Sequence, residues 1–562
     1  MIPRSDSYDL VVVGGGAAGL TAAVVGASSG LKVLLLECSE LIGGTTAISG
    51  GMIWIPANHK MAEANVDDSP ADANAYLDAT LPPDADRSLR EAFLTRGDEM
   101  MRFLEERTAV RLRCVRVYPD YYPDHPGAKV GARVLEPVPI DGRELGDSFA
   151  LLRPPLPEFM LFGGMMVSRE DIPHFRKAAR SLRSLRRVTR LVAGYWTQRL
   201  RAPRGTTLYL GNALAARLYK SALDLHVDIK LGAGVESLVQ SGGRVIGVET
   251  SCRGLRSQVL ARRGVVLATG GISHDNELRR RYVPPQAGHV SATLNSGAAK
   301  GGARLALEAG ARMREPGGLG AFWVPASCFT RRDGVKGVYP HTVTDRAKPG
   351  LIAVDSTGKR FVNEALSYHE FGLAQLRAGD TAIPAYLICD RRFLWKYGLG
   401  RVKPFALSVS SDVHSGYLKR AITLASLARA LDLPEETFAA TVAKFNVDAV
   451  NGVDKEFGRG TSVYQRHLGD SAHAPNPCVA PIEVSPFYAV AVYPADLGMS
   501  AGIITDASAR VLDKRGWPIQ GLYACGNDMD SLMAGAYPGP GITLGPALTF
   551  GYIAARDAAA DA

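Results

Sequence analysis

The sequence has no paired cysteine spacing, no long apolar run, no metal-ligand spacing and no nucleotide P-loop, and each absence removes a class of protein. Its seven cysteines (Cys38, Cys114, Cys252, Cys328, Cys389, Cys478 and Cys525) are scattered over 562 residues, odd in number and without CxxC. That excludes a disulfide framework and a zinc site and fits a reducing cytoplasm. Nothing reaches the roughly 18 uninterrupted apolar residues of a spanning helix. The nearest stretch, FALLRPPLPEFMLFGGMMV from Phe149, is broken by Arg153, Glu158 and three prolines. MIPRSDSYD passes directly into LVVVGGG, leaving no room for a leader before folded structure, so a cytoplasmic protein is expected. GxSxG and GK(S/T) are missing, and no metal is expected.

What is present is an ordinary globular composition, 46% hydrophobic, in a chain too long for one core, so two domains are expected. The net charge of +9 is concentrated in one place. Between Phe175 and Arg204 lie Arg176, Lys177, Arg180, Arg183, Arg186, Arg187, Arg190, Arg199, Arg201 and Arg204 with no acid, and removing those ten leaves −1 for the remainder. Leu182, Leu185, Val188, Val192, Tyr195 and Trp196 recur at helical spacing, so this helix is amphipathic with an aromatic pair near one end. Two readings stand level: an interfacial helix at the inner face of the cell membrane, contacting it through 175–204, or a domain helix with a solvated basic face. Nucleic acid is not expected, because no reading module accompanies the charge.

DLVVVGGGAAGLTAAVVGASSGLKVLLLE, from Asp9 to Glu37, reads strand, glycine turn, helix, strand. Gly14, Gly16 and Gly19 form GxGxxG, Ala17 and Ala18 open the helix, and Glu37 closes the second strand where it can accept from a ribose hydroxyl. In LIGGTTAISGGMIWIP, Gly44, Thr45, Thr46, Ser49, Gly50 and Gly51 supply the small residues that let backbone run beside a flat ligand. Gly270 and Gly271 end the strand RRGVVLATGG; Gly526 and Asn527 end GLYACGN; Leu544 follows in the apolar run near the C-terminus. Cofactor-type segments at both ends predict an α/β chain. A Rossmann-like nucleotide-binding domain is expected from 1–325, with a basic helical insertion at about 150–205, and from 488–562. An α+β catalytic cap at 326–487 is expected between them. LASLARALDLPEETFAATVAKFN, from Leu424, predicts a helical pair restarted at Pro434.

AYPGPGITLGPALTFGY, from Ala536, sets Tyr537 before two Pro-Gly pairs and an apolar helix. Proline has no N–H, so the main-chain donors there are those of Gly539 and Gly541. A helix starting near Gly541 would aim its free N–H groups beside the Tyr537 phenol, the outline of an oxyanion hole with the glycines leaving room for ligands.

The segments VVVGGGAAG, GGTTAISGG, ATGG and GLYACGN with PGPG resemble, in that order and over nearly the whole chain, the FAD-dependent fumarate reductase and 3-ketosteroid dehydrogenase superfamily. YPDYYPDHPGAKVGARVLEP, GKRFVNEALSY and AYPGPG look more narrowly like its 3-ketosteroid Δ1-dehydrogenase branch. The resemblance implies FAD and a site on Tyr121, Tyr368, Tyr537 and Gly541. It implies removal of an α proton by Tyr368, assisted by Tyr121, while Tyr537 and Gly541 hold the ketone oxygen and flavin N5 takes a hydride, placing a double bond at C1–C2 of a 3-ketosteroid. The implied partners are the steroid and an external, quinone-like electron acceptor. Fumarate reductases place a proton-delivering arginine where Tyr368 stands. Ile542 after PGPG and the Met and Ala of DLGMSAG depart from the branch, so a flavin desaturase of another ketosteroid bond (Δ4-type) or of another cyclic ketone is the alternative, and a fumarate-reductase-like enzyme the weaker one. His369, adjacent to the base, is read as structural.

Overall fold

The computed structural model describes residues 6–178, 181–252, 254–295, 300–317 and 320–560. Arg180, counted in the basic stretch, lies outside them. The first sheet is built on β1 (Asp6–Val13), which is followed by α1 (Ala17–Ser28) and β2 (Val33–Glu37). β1 and β2 pair in parallel, Val11 opposite Leu34, and their apolar runs suit a sheet covered on both faces. Strand Asp228–Leu231 extends the sheet beyond β2, and strand Leu255–Leu267 lies on the other side of β1. Strand Pro518–Ala524, from near the C-terminus, pairs in parallel with Leu255–Leu267, so both ends of the chain share one α/β sheet. α1 is buried along its whole course from Ala17 to Gly26, which its Ala- and Gly-rich sequence permits. The C-terminal helix Leu544–Ala560 packs on it so closely that a methyl on Gly551 would sit 2.6 Å from the Ala18 oxygen.

The second sheet orders its antiparallel strands Lys336–Pro340, Ala321–Thr330, Phe487–Met499, Ala385–Asp390 and Leu351–Val354, with Lys419–Ala421 also on Phe487–Met499. Helices Leu424–Ala430 and Glu435–Ala449 form the expected pair, with Pro434 capping the second. Beneath them Arg360 bridges Glu364 and Asp454, and Arg459 also reaches Glu364 at 3.1 Å, all buried. Removing one partner of such a group costs about 3–5 kcal/mol, because it strands a charge away from water.

The basic insertion folds as helices Ile172–Lys177 and Leu182–Arg199. Among the described residues no helix is long and apolar enough to cross a membrane. The terminal helix starts at Leu544, three residues later than Gly541, because Gly541 has φ +100° and stands outside the helical region.

Candidate active site

A cavity of about 1130 Å³ lies between the carboxyl ends of the parallel strands and the second sheet. It is lined by Gly14, Gly16, Ala17, Ala18, Glu37, Gly44, Thr45, Thr46, Ser49, Gly50, Gly51, Gly270, Gly271, Gly526, Asn527 and Leu544. Of the residues singled out for a cofactor, Gly19 alone stays away from it. The three glycines of the fingerprint do different work. A methyl on Gly14 would lie 2.2 Å from the Ala268 oxygen, and one on Gly19 1.9 Å from the Gly14 oxygen; both serve close packing of turn, helix and sheet. A methyl on Gly16 would meet nothing nearer than Thr46 Oγ1 at 3.9 Å, so this position faces the open cavity.

Gly16 caps α1 without a side chain, and Thr46 Oγ1 accepts from Ala17 N at 3.0 Å. Glu37 is buried; its Oε2 accepts from Gly15 N at 2.7 Å and its Oε1 from Ser39 N at 2.8 Å. One residue not foreseen shapes this end. Buried Asp528 accepts from Thr269 N, from Thr269 Oγ1 at 2.9 Å and from Gly271 N at 2.9 Å, locking the turn that follows the ATGG strand. An open glycine at a helix N-terminus, a buried carboxylate at the end of the second strand and small residues along the floor fit a dinucleotide carrying a flat ring system.

Tyr121, Tyr368, Tyr537 and Gly541 line the same cavity, and all three tyrosines are buried. Tyr368 is the first residue of helix Tyr368–Ala378, capped by Ser367, whose side chain accepts from Glu370 N. The loop ahead of it is pinned by Arg346, which donates to the Glu364 and Leu366 carbonyls at 2.8 and 3.2 Å. Tyr121 is tied to the C-terminal stretch through its own N–H, which donates to Pro538 O at 3.0 Å; the Tyr76 hydroxyl donates to the same oxygen at 2.6 Å. Asp120 beside it accepts from Trp54 Nε1 at 2.9 Å and from Arg133 Nη1 at 2.8 Å.

The Tyr368 and Tyr537 hydroxyls share a hydrogen bond of 2.8 Å. Tyr121 stacks on Tyr537, centroids 5.6 Å apart at 13°, and meets Tyr368 edge-on at the same separation. Phe322, also unforeseen, braces Tyr537 from the side at 5.4 Å. Burial holds the Tyr368 and Tyr121 phenols well above their ordinary value, with the neighbouring phenols adding to it, and burial also pushes Tyr537 up. Tyr121 lies near enough to draw Tyr368 back down, although among the described residues its hydroxyl has no hydrogen-bond partner of good geometry. His369 Nδ1 accepts from Trp323 N at 3.0 Å and burial pushes its pKa down to about 3, so the imidazole is neutral and structural.

The glycines of PGPG are needed for a reason different from the one expected. A methyl on Gly539 would sit 2.7 Å from Trp54 Nε1, and one on Gly541 2.5 Å from the Met52 oxygen. The space is taken by the chain's own segment 52–54; Gly541 O in turn accepts from Trp54 N at 3.2 Å. Among the described residues no hydrogen bond engages the Gly541 N–H. The remaining walls are largely apolar and come partly from the basic insertion: Pro155, Leu156, Phe159, Ile172 and Phe175. Arg176 lies there over the Tyr397 ring at 5.7 Å, and among the described residues it forms no ion pair.

Residues 9–544 match a family described as an FAD binding domain. The chain is 37% identical to a 4-oxocyclohex-2-ene-1-carboxylate 5-dehydrogenase of Sinomonas cyclohexanicum, over 99% of this chain and 94% of that protein. It is 35% identical to a 3-oxosteroid 1-dehydrogenase of Mycolicibacterium smegmatis, over 99% and 98%. A crystal structure of 3-ketosteroid Δ1-dehydrogenase from Sterolibacterium denitrificans, in complex with 1,4-androstadiene-3,17-dione, superimposes with a TM-score of 0.92 at 35% identity, covering 99% of this chain and all of that one.

Proposed function

Because the chain belongs to the FAD binding domain family and is an FAD-dependent oxidoreductase, we propose that it dehydrogenates a 3-ketosteroid at C1–C2. The observation that carries this reading is the Tyr368–Tyr537 pair, 2.8 Å apart on the wall of the cavity that also holds the dinucleotide fingerprint. The carbonyl oxygen and the α hydrogen of a ketone are separated by two bonded carbons, a span of the same order as that between the two phenols. Tyr537 then donates to the ketone oxygen together with the Gly541 N–H, and Tyr368 removes the α proton. Burial suits Tyr537, since a donor to an oxyanion must keep its own proton. Tyr368 has the harder task, and its place at a helix N-terminus favours its phenolate. The cofactor would be held by Gly16 and Ala17 at the pyrophosphate and Glu37 at the ribose, and it supplies the hydride acceptor.

A second reading is favoured by Arg176. A guanidinium on the cavity wall with no ion-pair partner among the described residues suits a carboxylate, and one relative named above acts on an oxocyclohexene carboxylate. Comparing kcat/KM for a 3-ketosteroid and for a 4-oxocyclohexane carboxylate, with wild type and Arg176→Gln, separates the two. A steroid enzyme prefers the first substrate and tolerates the substitution.

The oxidised cofactor is regenerated by an external acceptor of quinone type in this reading, and the enzyme sits at a membrane surface. Helix Leu182–Arg199 supports the latter. A plain domain helix hides its apolar stripe, yet Leu182, Trp196 and the adjoining Leu200 are 75%, 54% and 84% exposed, among the exposed Arg183, Arg186 and Arg190.

A further inference from the structure

Tyr121 has a third aromatic neighbour that the mechanism above does not use. Tyr464, on the helix Val463–Leu468 of the inserted half, packs against it with centroids 4.8 Å apart. The hydroxyls of Tyr118, Tyr121 and Tyr464 are all buried and, among the described residues, make no hydrogen bond of good geometry, in contrast to the paired Tyr368 and Tyr537, although Tyr121 lies near enough to draw down the pKa of both Tyr118 and Tyr464. Buried polar groups are normally satisfied, so three adjoining phenols without a well-formed hydrogen bond mark a place where protons or a water are handled.

Beside them lies Arg346, fully buried, whose guanidinium donates to the carbonyls of His341, Thr342, Glu364 and Leu366. Among the described residues it forms no ion pair, and its charge acts on Tyr464 and Tyr121 as well as on Asp345. A buried cation without a bonded carboxylate favours a phenolate next to it. The other charged and titratable groups around the cluster are Glu370, which accepts from the Tyr122 hydroxyl, and Arg169 and His467, which flank the Tyr118 ring. His467 is exposed and gives the cluster an outlet to solvent.

We propose that Tyr464 is the next link in the proton path, taking through Tyr121 the proton that Tyr368 removes, with Arg346 offsetting negative charge on the path as the proton passes. This rests on Tyr368 being the base. Burial keeps the Tyr464 phenol protonated, so the phenolate that reacts is Tyr368, its own proton having left by the same path. When the substrate α C–H breaks, its electron pair passes to the ketone oxygen as an enolate and an O–H forms at Tyr368. The Tyr368 proton moves to the Tyr121 oxygen and the Tyr121 proton to Tyr464, directly or across one water. The Tyr464 proton is lost in turn past Tyr118 and His467, so each phenol forms one O–H and breaks one, and the net transfer is a single proton from carbon to solvent. Tyr464 touches no substrate and is a positioning residue.

Holoenzyme carrying Tyr464→Phe should keep its flavin and its KM while kcat falls roughly tenfold, less than the 10²-fold or more of a primary base, and the acid limb of kcat/KM should move to higher pH. Replacing Tyr464 by a fluorotyrosine, which keeps the packing and acidifies the phenol, should move that limb to lower pH. Tyr368→Phe is the control. If Tyr368→Phe abolishes turnover while both variants at 464 leave the limb and kcat unmoved, the relay is wrong and the base stands. If Tyr368→Phe is harmless, both are wrong. Should Tyr464→Phe fail to fold, the fluorotyrosine enzyme decides alone.

Discussion

The hydroxyls of Tyr368 and Tyr537 lie 2.8 Å apart although 169 residues separate them in the chain. One enters from the first turn of a helix packed on the second sheet, the other from the loop before the C-terminal helix of the first. A base and an oxyanion donor in direct contact are coupled: negative charge on either is stabilised by the proton of the other. Neither half of the chain alone can supply that pair.

Tyr368→Phe keeps the ring and deletes the proton acceptor. Turnover should fall by the roughly 10²-fold to 10⁴-fold of a lost general base, with ligand binding retained. Burial raises the pKa of this phenol, so only a small fraction is ionised at neutral pH and that fraction grows as pH rises. The wild-type kcat/KM should therefore climb with pH into the alkaline range. A profile already flat above pH about 7, as an unperturbed histidine base would give, argues against Tyr368.

Tyr537→Phe removes one oxyanion donor, and about 10²-fold to 10³-fold in kcat should go with it. Exchange of the substrate α protons into deuterated water, followed with flavin reduction blocked, should slow in parallel. Unchanged exchange and turnover would reduce the phenol to packing.

Two glycine substitutions should fail in different ways. Gly541→Ala places a methyl 2.5 Å from the Met52 oxygen at φ +100°, so the protein should lose on the order of 1–3 kcal/mol of stability, read by thermal or denaturant unfolding. Gly16→Ala meets no neighbour closer than 3.9 Å and should fold normally but bind FAD weakly. Equal FAD affinity in Gly16→Ala and wild type would remove Gly16 from the pyrophosphate site.

The nucleotide half was legible because its signals are local. GxGxxG, the helix behind it and Glu37 fall within one unit of strand, turn, helix and strand, and spacing alone carries the chemistry. Asp528, Arg346, Phe322 and Tyr464 were not legible. Asp528 acts on Thr269 and Gly271, more than 250 residues away, and Arg346 acts through backbone carbonyls that any sequence could present. Tyr118 could have been noticed, since it stands three residues before Tyr121 in the same motif. The glycines of PGPG were located correctly but given the wrong neighbour: a sequence shows that a Cβ is missing, and only the fold shows that Met52 and Trp54 occupy the gap.

Helix Leu182–Arg199 yields a prediction independent of the chemistry. Wild type should sediment with anionic vesicles, less so at high salt, and replacing Leu182, Trp196 and Leu200 by serine should release it with flavin content unchanged. Equal sedimentation of the two would favour a plain solvated helix.

The most direct test is to mix the purified enzyme with androst-4-ene-3,17-dione without oxygen, follow the flavin absorbance, add a quinone-type acceptor, and locate the new double bond by NMR. Rapid bleaching by the steroid, recovery on addition of the acceptor, and a product unsaturated at C1–C2 are expected. A flavin that stays oxidised with the steroid but bleaches with a 4-oxocyclohexane carboxylate, or a double bond at any other position, would contradict dehydrogenation of a 3-ketosteroid at C1–C2.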